Sequence, residues 1–251
     1  MTGAEIILET EGLTLRFGGV VAVHQVNLSV GTHDLTAIIG PNGAGKTSLF
    51  NLLSGRYRPS EGRIFFTGRE ITGLAGHHVA RLGMARSFQI TNIFPSLTAS
   101  ENVQVAYLGR RGRNFNLREP FKKHCPEEVQ AILDTVGLTE KAGVQAGQLS
   151  HGDQRTLEIA VTLACQPKLL LLDEPTSGMS SYETRLVSDL IQKIWTETSI
   201  PILFVEHDMS VAFAVAHKVI VMHQGDIFAE GTPEEIRGDK MVQRIYLGEE
   251  D

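Results

Sequence analysis

The chain is poor in cysteine. Only Cys125 and Cys165 occur among 251 residues, far apart, with no C-x-x-C and no metal-ligand spacing. That argues against a disulfide framework and against a cysteine-held metal. Basic charge is also scarce: 23 Lys and Arg stand against 29 Asp and Glu, a formal net charge of −6. A chain that clamps nucleic acid through its phosphates carries the opposite balance, so no nucleic-acid partner is expected. No apolar run approaches the ~20 residues that cross a bilayer. The longest, the four leucines at 169–172, reads as a buried strand. The first twelve residues carry Glu5 and Glu9 and lack the basic start and apolar centre of a secretion signal. A cytosolic chain, or one held to a membrane through partners, is the expectation. Internal repeats, heptads and low-complexity segments are missing too.

What is present is a globular composition, with 42% hydrophobic and 21% charged residues. The length suits one large α/β domain, or a core with a smaller domain docked on it. ILETEGLTLRFG and VVAVHQVNLSVG read as strands on either side of Gly18-Gly19. LTAIIG is a short buried strand, TSLFNLLSG a helix stopped by Gly55, and GRIFFTGREI a hairpin pair. From about residue 73 to 165 the spacing is helical: HHVARLGMARSF, ASENVQVAYLG, PEEVQAILDTVGL and GDQRTLEIAVTLAC. Cys165 falls in that apolar run and reads as a small core residue. KLLLLDEP, IPILFVEHD and HKVIVMHQGDIFAEG then return to buried strands, around an amphipathic helix YETRLVSDLIQKIWTE. The alternation predicts a mostly parallel core sheet interrupted by a helical insertion. The locally basic stretch 109–124, with Arg110, Arg111, Arg113, Arg118, Lys122 and Lys123 against Glu119, reads either as a solvated loop or as a surface near lipid headgroups or a partner.

Three motifs carry chemistry. GPNGAGKT (Gly40, Pro41, Asn42, Gly43, Ala44, Gly45, Lys46, Thr47), with Ser48 after it, fits G-x-x-x-x-G-K-[ST] between a buried strand and a helix. Glycines let successive backbone N–H groups turn toward phosphates, and the helix N-terminus adds partial positive charge. Lys46 supplies a charge to the β- and γ-phosphates and Thr47 a hydroxyl to Mg²⁺. In KLLLLDE, Asp173 and Glu174 are costly to bury unless a cation or water needs them. Asp173 is placed to hold Mg²⁺ through water, and Glu174 to polarise an attacking water. In LSHGDQRTLEIA, Ser150 can cap a long helix whose N-terminus can face an anion; taken alone this is only a cap.

In this order and combination the three motifs resemble the signature set of the ABC ATPase family, over nearly the whole chain. The family's signature loop is usually LSGGQ; here Leu149, Ser150 and Gly152 are kept, and His151 and Asp153 differ. The resemblance implies an α/β P-loop ATPase core with a mostly parallel sheet, an antiparallel β part and an inserted α-helical subdomain. It implies a single domain over 1–251: core about 1–88 and 166–235, helical subdomain about 89–165, and a helical tail about 233–251. It also implies a head-to-tail dimer in which Ser150 and Gly152 meet the γ-phosphate of ATP held by the partner. Gln89 resembles the glutamine that links Mg²⁺ and the attacking water to the helical subdomain. His207 resembles the switch histidine that contacts the γ-phosphate. Phe17 stands where the family stacks an aromatic on adenine, or it packs inward as a core residue. Ser180 replaces an aspartate that reaches across the dimer in many members.

RFGGVVAV, ARSFQ with FPSLTASENV, VEHDM, and the ending EGTPEEIRGD…IYLGEE resemble the branched-chain or hydrophobic amino acid and urea uptake branch. That branch implies a second, homologous or identical ATPase subunit, integral membrane permeases, a periplasmic solute-binding protein acting indirectly, and a peripheral place on the cytoplasmic side of the inner membrane. The stretch from Ile90 to Leu97, whose Ile93, Phe94 and Leu97 offer apolar contacts, is then a permease-docking surface, or ordinary subdomain core. The rival readings are a soluble ABC-type ATPase without a transport role, a urea or amide importer, and a scaffold that binds nucleotide without hydrolysing it.

Overall fold

In the computed structural model, which describes residues 5–87, 93–111 and 125–247, the N-terminal strands form a small antiparallel sheet. It contains β1 (Ile6–Phe17), β2 (Val20–Val26) and β3 (Ser29–Gly31). The chain then enters β4 (Leu35–Ile39), every residue of which is buried, and the phosphate loop leads into α1 (Lys46–Leu53). β5 (Glu61–Phe66) and β6 (Arg69–Glu70) return to the small sheet as the expected hairpin. After α2 (Gly76–Leu82) and β7 (Met84–Arg86) come three helices: α3 (Ala99–Arg111), α4 (Pro126–Val136) and α5 (His151–Ala164). β8 (Leu169–Asp173), α6 (Ser181–Thr198), β9 (Ile202–Val205), α7 (Met209–Val215), β10 (Lys218–His223) and β11 (Asp226–Gly231) complete the core. Two short helices, α8 (Pro233–Gly238) and α9 (Lys240–Leu247), follow it.

The larger sheet has the order β11-β10-β4-β9-β8-β7, parallel throughout except for the antiparallel β11. Strand side chains alternate between faces, and here both faces are covered. Ala37, Ile39, Leu170, Leu172, Phe204 and Val221 pack on the side of α5, α6 and α7. Ile38, Leu169, Leu171, Leu203, Val205 and Met222 pack on the side of α1 and the antiparallel sheet. Burial on both sides explains why β8 is an unbroken leucine run rather than an alternating one.

Three expectations are corrected. HHVARLGMARSF is not one helix. It stops at Gly83, whose φ is +112°, a left-handed conformation suited to glycine, and Met84–Arg86 pairs in parallel with β8 at the sheet edge. β11 is not a buried strand: it is the opposite edge, and its residues alternate exposed and half-buried. Cys165 is a half-buried residue at the C-terminus of α5 rather than core.

Two details fix α6. Ser180 and Glu183 form a capping box at its start. Toward its far end the Trp195 indole N–H donates to the His33 carbonyl at 3.1 Å, and the ring meets His217 edge-on at 4.5 Å. No helix among the described residues is long and apolar enough to cross a membrane.

Candidate functional site: a phosphate loop and a carboxylate–histidine pair

The loop after β4 needs its glycines. A Cβ on Gly40 would lie 2.2 Å from the Met222 carbonyl oxygen, and one on Gly45 2.3 Å from that of Ala22. Both positions also have positive φ, so a side chain is excluded by backbone conformation and by space. The Gly225 N–H donates to the Ala44 carbonyl at 3.0 Å, and the His24 N–H to the Gly225 carbonyl at 2.9 Å, which moors the loop to the β10–β11 turn and to β2. Lys46 is buried, and its ammonium donates to the carbonyls of Gly40 at 2.6 Å and Pro41 at 3.0 Å. Burial lowers the Lys46 pKa, and the charge of Glu174 partly restores it. Thr47 is exposed and Ser48 half-buried at the first turn of α1.

Asp173 ends β8 almost wholly enclosed. One carboxylate oxygen meets the Arg86 guanidinium at 2.5 Å, and the two side chains are 1% and 6% exposed. Arg86 in turn donates to Asn51 at 2.8 Å and Ser54 at 2.9 Å, and it lies over the Phe50 ring. The other Asp173 oxygen, Oδ1, is buried with no hydrogen-bond partner among the described residues.

The chain turns sharply at Glu174, whose φ is +49°. A non-glycine residue there is strained and needs support from its surroundings. Its N–H donates to the Val205 carbonyl at 3.0 Å. From α5, Arg155 donates to the carbonyls of Asp173 at 3.1 Å and Glu174 at 2.9 Å. So held, the Glu174 carboxylate meets His207 Nε2 at 2.7 Å. The neighbouring Glu206 is buried, and it accepts from the Thr176 N–H and hydroxyl. Burial raises its pKa.

Ser150 caps α5, accepting from the Asp153 N–H at 3.2 Å, and Lys141 pairs with Asp153 at 2.6 Å. Ser150 and Gly152 line a cleft of about 560 Å³ with Ser180, Tyr182 and Glu183; no residue of 40–48 lines it. Ser180 is engaged within its own helix, its N–H and hydroxyl both donating to Glu183. Phe17 does not pack inward: it is 49% exposed, and its ring meets Tyr57 edge-on at 5.5 Å. Phe94 is exposed, while Ile93 and Leu97 are half-buried. Gln89 and most of the basic stretch 109–124 lie outside the described residues.

Residues 23–177 match the ABC transporter family. The chain belongs to that family. Residues 227–251, the C-terminal segment of this ABC subunit, match a second description, Branched-chain amino acid ATP-binding cassette transporter. Curated relatives include the high-affinity branched-chain amino acid transport ATP-binding protein BraF of Pseudomonas aeruginosa, 43% identical over 97% of this chain and 98% of the relative. LivG of Escherichia coli, described in the same words, is 39% identical over 97% of this chain and 98% of its own length. Among solved structures, the ADP conformation of MJ1267, an ATP-binding cassette of an ABC transporter, superposes with a TM-score of 0.85 at 28% identity, over 97% of this chain and 99% of that one. A dimeric post-hydrolysis state of the cassette MJ0796, bound to ADP and Pi, gives 0.76 at 25% identity, over 90% of this chain and 99% of that one. This chain is thus an ABC-type ATP-binding subunit, an ATPase of the importer kind.

Sequence reasoning passed over Arg86, Arg155, Glu206 and Tyr57. Arg86 stands three residues before Gln89 in ARSFQ, and Glu206 directly precedes His207 in VEHD. A charged residue abutting a motif on a buried strand was the available signal.

Proposed function

We propose that this subunit hydrolyses Mg-ATP to drive uptake of branched-chain amino acids, working with a second ATP-binding subunit beneath membrane permeases on the cytoplasmic face. A solute-binding protein on the far side would deliver the amino acid. The observation that carries the hydrolytic part is the Glu174–His207 pair at 2.7 Å, at the end of the strand beside the phosphate loop. The solute is carried by the match of residues 227–251 and by the relatives BraF and LivG, and these favour it over urea.

In this reading the amides of 40–47 and Lys46 bind the triphosphate, and Phe17 stacks on adenine. Residues fit a magnesium ion here: the unpartnered Asp173 Oδ1 is an acceptor waiting for a metal-bound water, Thr47 offers an exposed hydroxyl, and Gln89 is the third candidate. Held by these residues, magnesium would supply positive charge against that of the phosphates. Glu174 orients the water for in-line attack and accepts its proton. His207 lies beside the γ-phosphoryl group and stabilises its charge. Ser150 and Gly152 cover the γ-phosphate of the partner subunit's nucleotide, consistent with a cleft separate from this chain's own loop. Nucleotide thereby holds the two subunits together until hydrolysis releases them, and that cycle moves the permeases.

Cells lacking this chain should lose high-affinity uptake of radiolabelled leucine, isoleucine and valine, and regain it with the intact gene but not with the Glu174→Gln form. Unchanged uptake of all three, with loss of another solute, would overturn the substrate assignment and leave the ATPase reading standing.

A further inference from the structure

The hydrolytic reading gives no task to Glu206, yet this residue is 3% exposed. Burying a carboxyl group is unfavourable unless its oxygens are bonded, and an apolar residue at the end of β9 would avoid the cost. The bonds Glu206 makes are specific. One oxygen, Oε1, accepts both the Thr176 N–H at 3.0 Å and the Thr176 hydroxyl at 2.8 Å. Its own N–H donates to the Ile38 carbonyl at 3.2 Å, two residues before Gly40. Thr176 lies two residues after Glu174, and His207 is the next residue along from Glu206. Three segments therefore meet at this residue: its backbone ties to the strand feeding the phosphate loop, its side chain to the strained turn of Glu174, and it leads directly into the loop of His207.

We propose that Glu206 is a positioning residue, which clamps the Glu174 turn to the His207 loop through Thr176 and so sets the contact between the two side chains. It acts through Thr176 rather than on the nucleotide. The turn at φ +49° keeps its bonds to Val205 and Arg155 when Thr176 loses its acceptor, but its far side is released, and the carboxylate would swing away from the imidazole. The inference rests on the hydrolytic roles given above to Glu174 and His207.

The test uses Glu206→Val, which removes the acceptor, and Glu206→Gln, whose carbonyl oxygen can take the same two bonds. The ring resonances of His207 are recorded in the nucleotide-free subunit, with Glu174→Ala as the reference for a broken contact. Turnover and KM for ATP are measured in the assembled transporter. Glu206→Val should move the His207 signals to those of Glu174→Ala and lower kcat on the order of ten- to a hundredfold, the scale of a misplaced reacting group, with KM nearly unchanged. Glu206→Gln should keep both near wild type. Wild-type His207 signals in Glu206→Val, or a Gln variant as damaged as the Val variant, would overturn the proposal. If the Val variant does not fold, Thr176→Val removes one of the two bonds and should shift the same signals part of the way; no shift is fatal to the idea. Should Glu174→Gln itself leave turnover intact, the hydrolytic reading fails first and this inference falls with it.

Discussion

Glu174 and His207 lie thirty-three residues apart in the chain, and their side chains meet at 2.7 Å. In the proposed mechanism a carboxylate so placed takes a proton from water while the imidazole meets the phosphoryl group. Replacing Glu174 with Gln keeps the shape and removes the base. Turnover should fall by roughly 10²–10⁴, the usual range for a positioned base, while ATP still binds. A phosphate-release assay beside a binding titration checks both halves, and a normal rate in the variant refutes the role.

Lys46 is curled over its own loop, bonded to the carbonyls of Gly40 and Pro41. Its ammonium helps shape the loop and would bond the phosphates. Losing a charged hydrogen bond costs about 1.5–3 kcal/mol. Lys46→Ala should therefore weaken ATP binding about ten- to a hundredfold by calorimetry, and an unchanged affinity counts against it.

Phe17 is exposed and buttressed edge-on by Tyr57. An aromatic contact of this kind is worth about 0.5–1.5 kcal/mol. Phe17→Ala should loosen ATP several-fold and leave tripolyphosphate binding unaltered. Equal losses for both ligands would mean that the ring supports the loop rather than the base.

Arg86 and Asp173 form a buried pair whose loss leaves an uncompensated charge. Arg86→Met should destabilise the fold by about 3–5 kcal/mol. Urea unfolding monitors this, and a change under 1 kcal/mol would show that Asn51 and Ser54 do not depend on the guanidinium.

Burial raises the pKa of Glu206; the Thr176 hydroxyl and the Thr176 and His207 amides oppose it, and the Glu174 charge acts in the same direction as burial. The folded protein thus holds this proton more tightly than the unfolded chain. The contribution to stability is complete below the ordinary value of 4.5 and is lost as pH rises through the folded pKa. Glu206→Gln carries no such penalty, so its stability relative to wild type should increase from pH 5 to pH 8. A pH-independent difference in unfolding free energy would contradict this.

Much of the core was legible because its signals are local. The phosphate loop, the leucine run of β8 and the Ser150 cap each declare themselves within a dozen residues. β7 did not: three residues are too few to show a period of two, and the helical spacing of α2 ran over them until Gly83 broke it. β11 alternates, but its apolar content suggested burial. The supports of the site were illegible for another reason. Arg86 reaches Asp173 across 87 residues, Glu206 reaches Thr176 across 30, and Arg155 reaches Glu174 across 19. Such pairings exist only once the sheet is assembled; a single sequence can mark Arg86 or Glu206 by its place beside a motif but does not name its partner.

Trp195 is the chain's one tryptophan, and its bond to His33 places it at the entry to β4, whereas the phosphate loop leaves the exit. Five residues of extended strand separate the two by roughly 17 Å. Indole emission should accordingly respond to denaturation, yet stay nearly silent when nucleotide arrives. Spectroscopists thus inherit a clean thermometer for the body of the protein, and they will need a separate label, installed near the cleft, to watch ligands come and go.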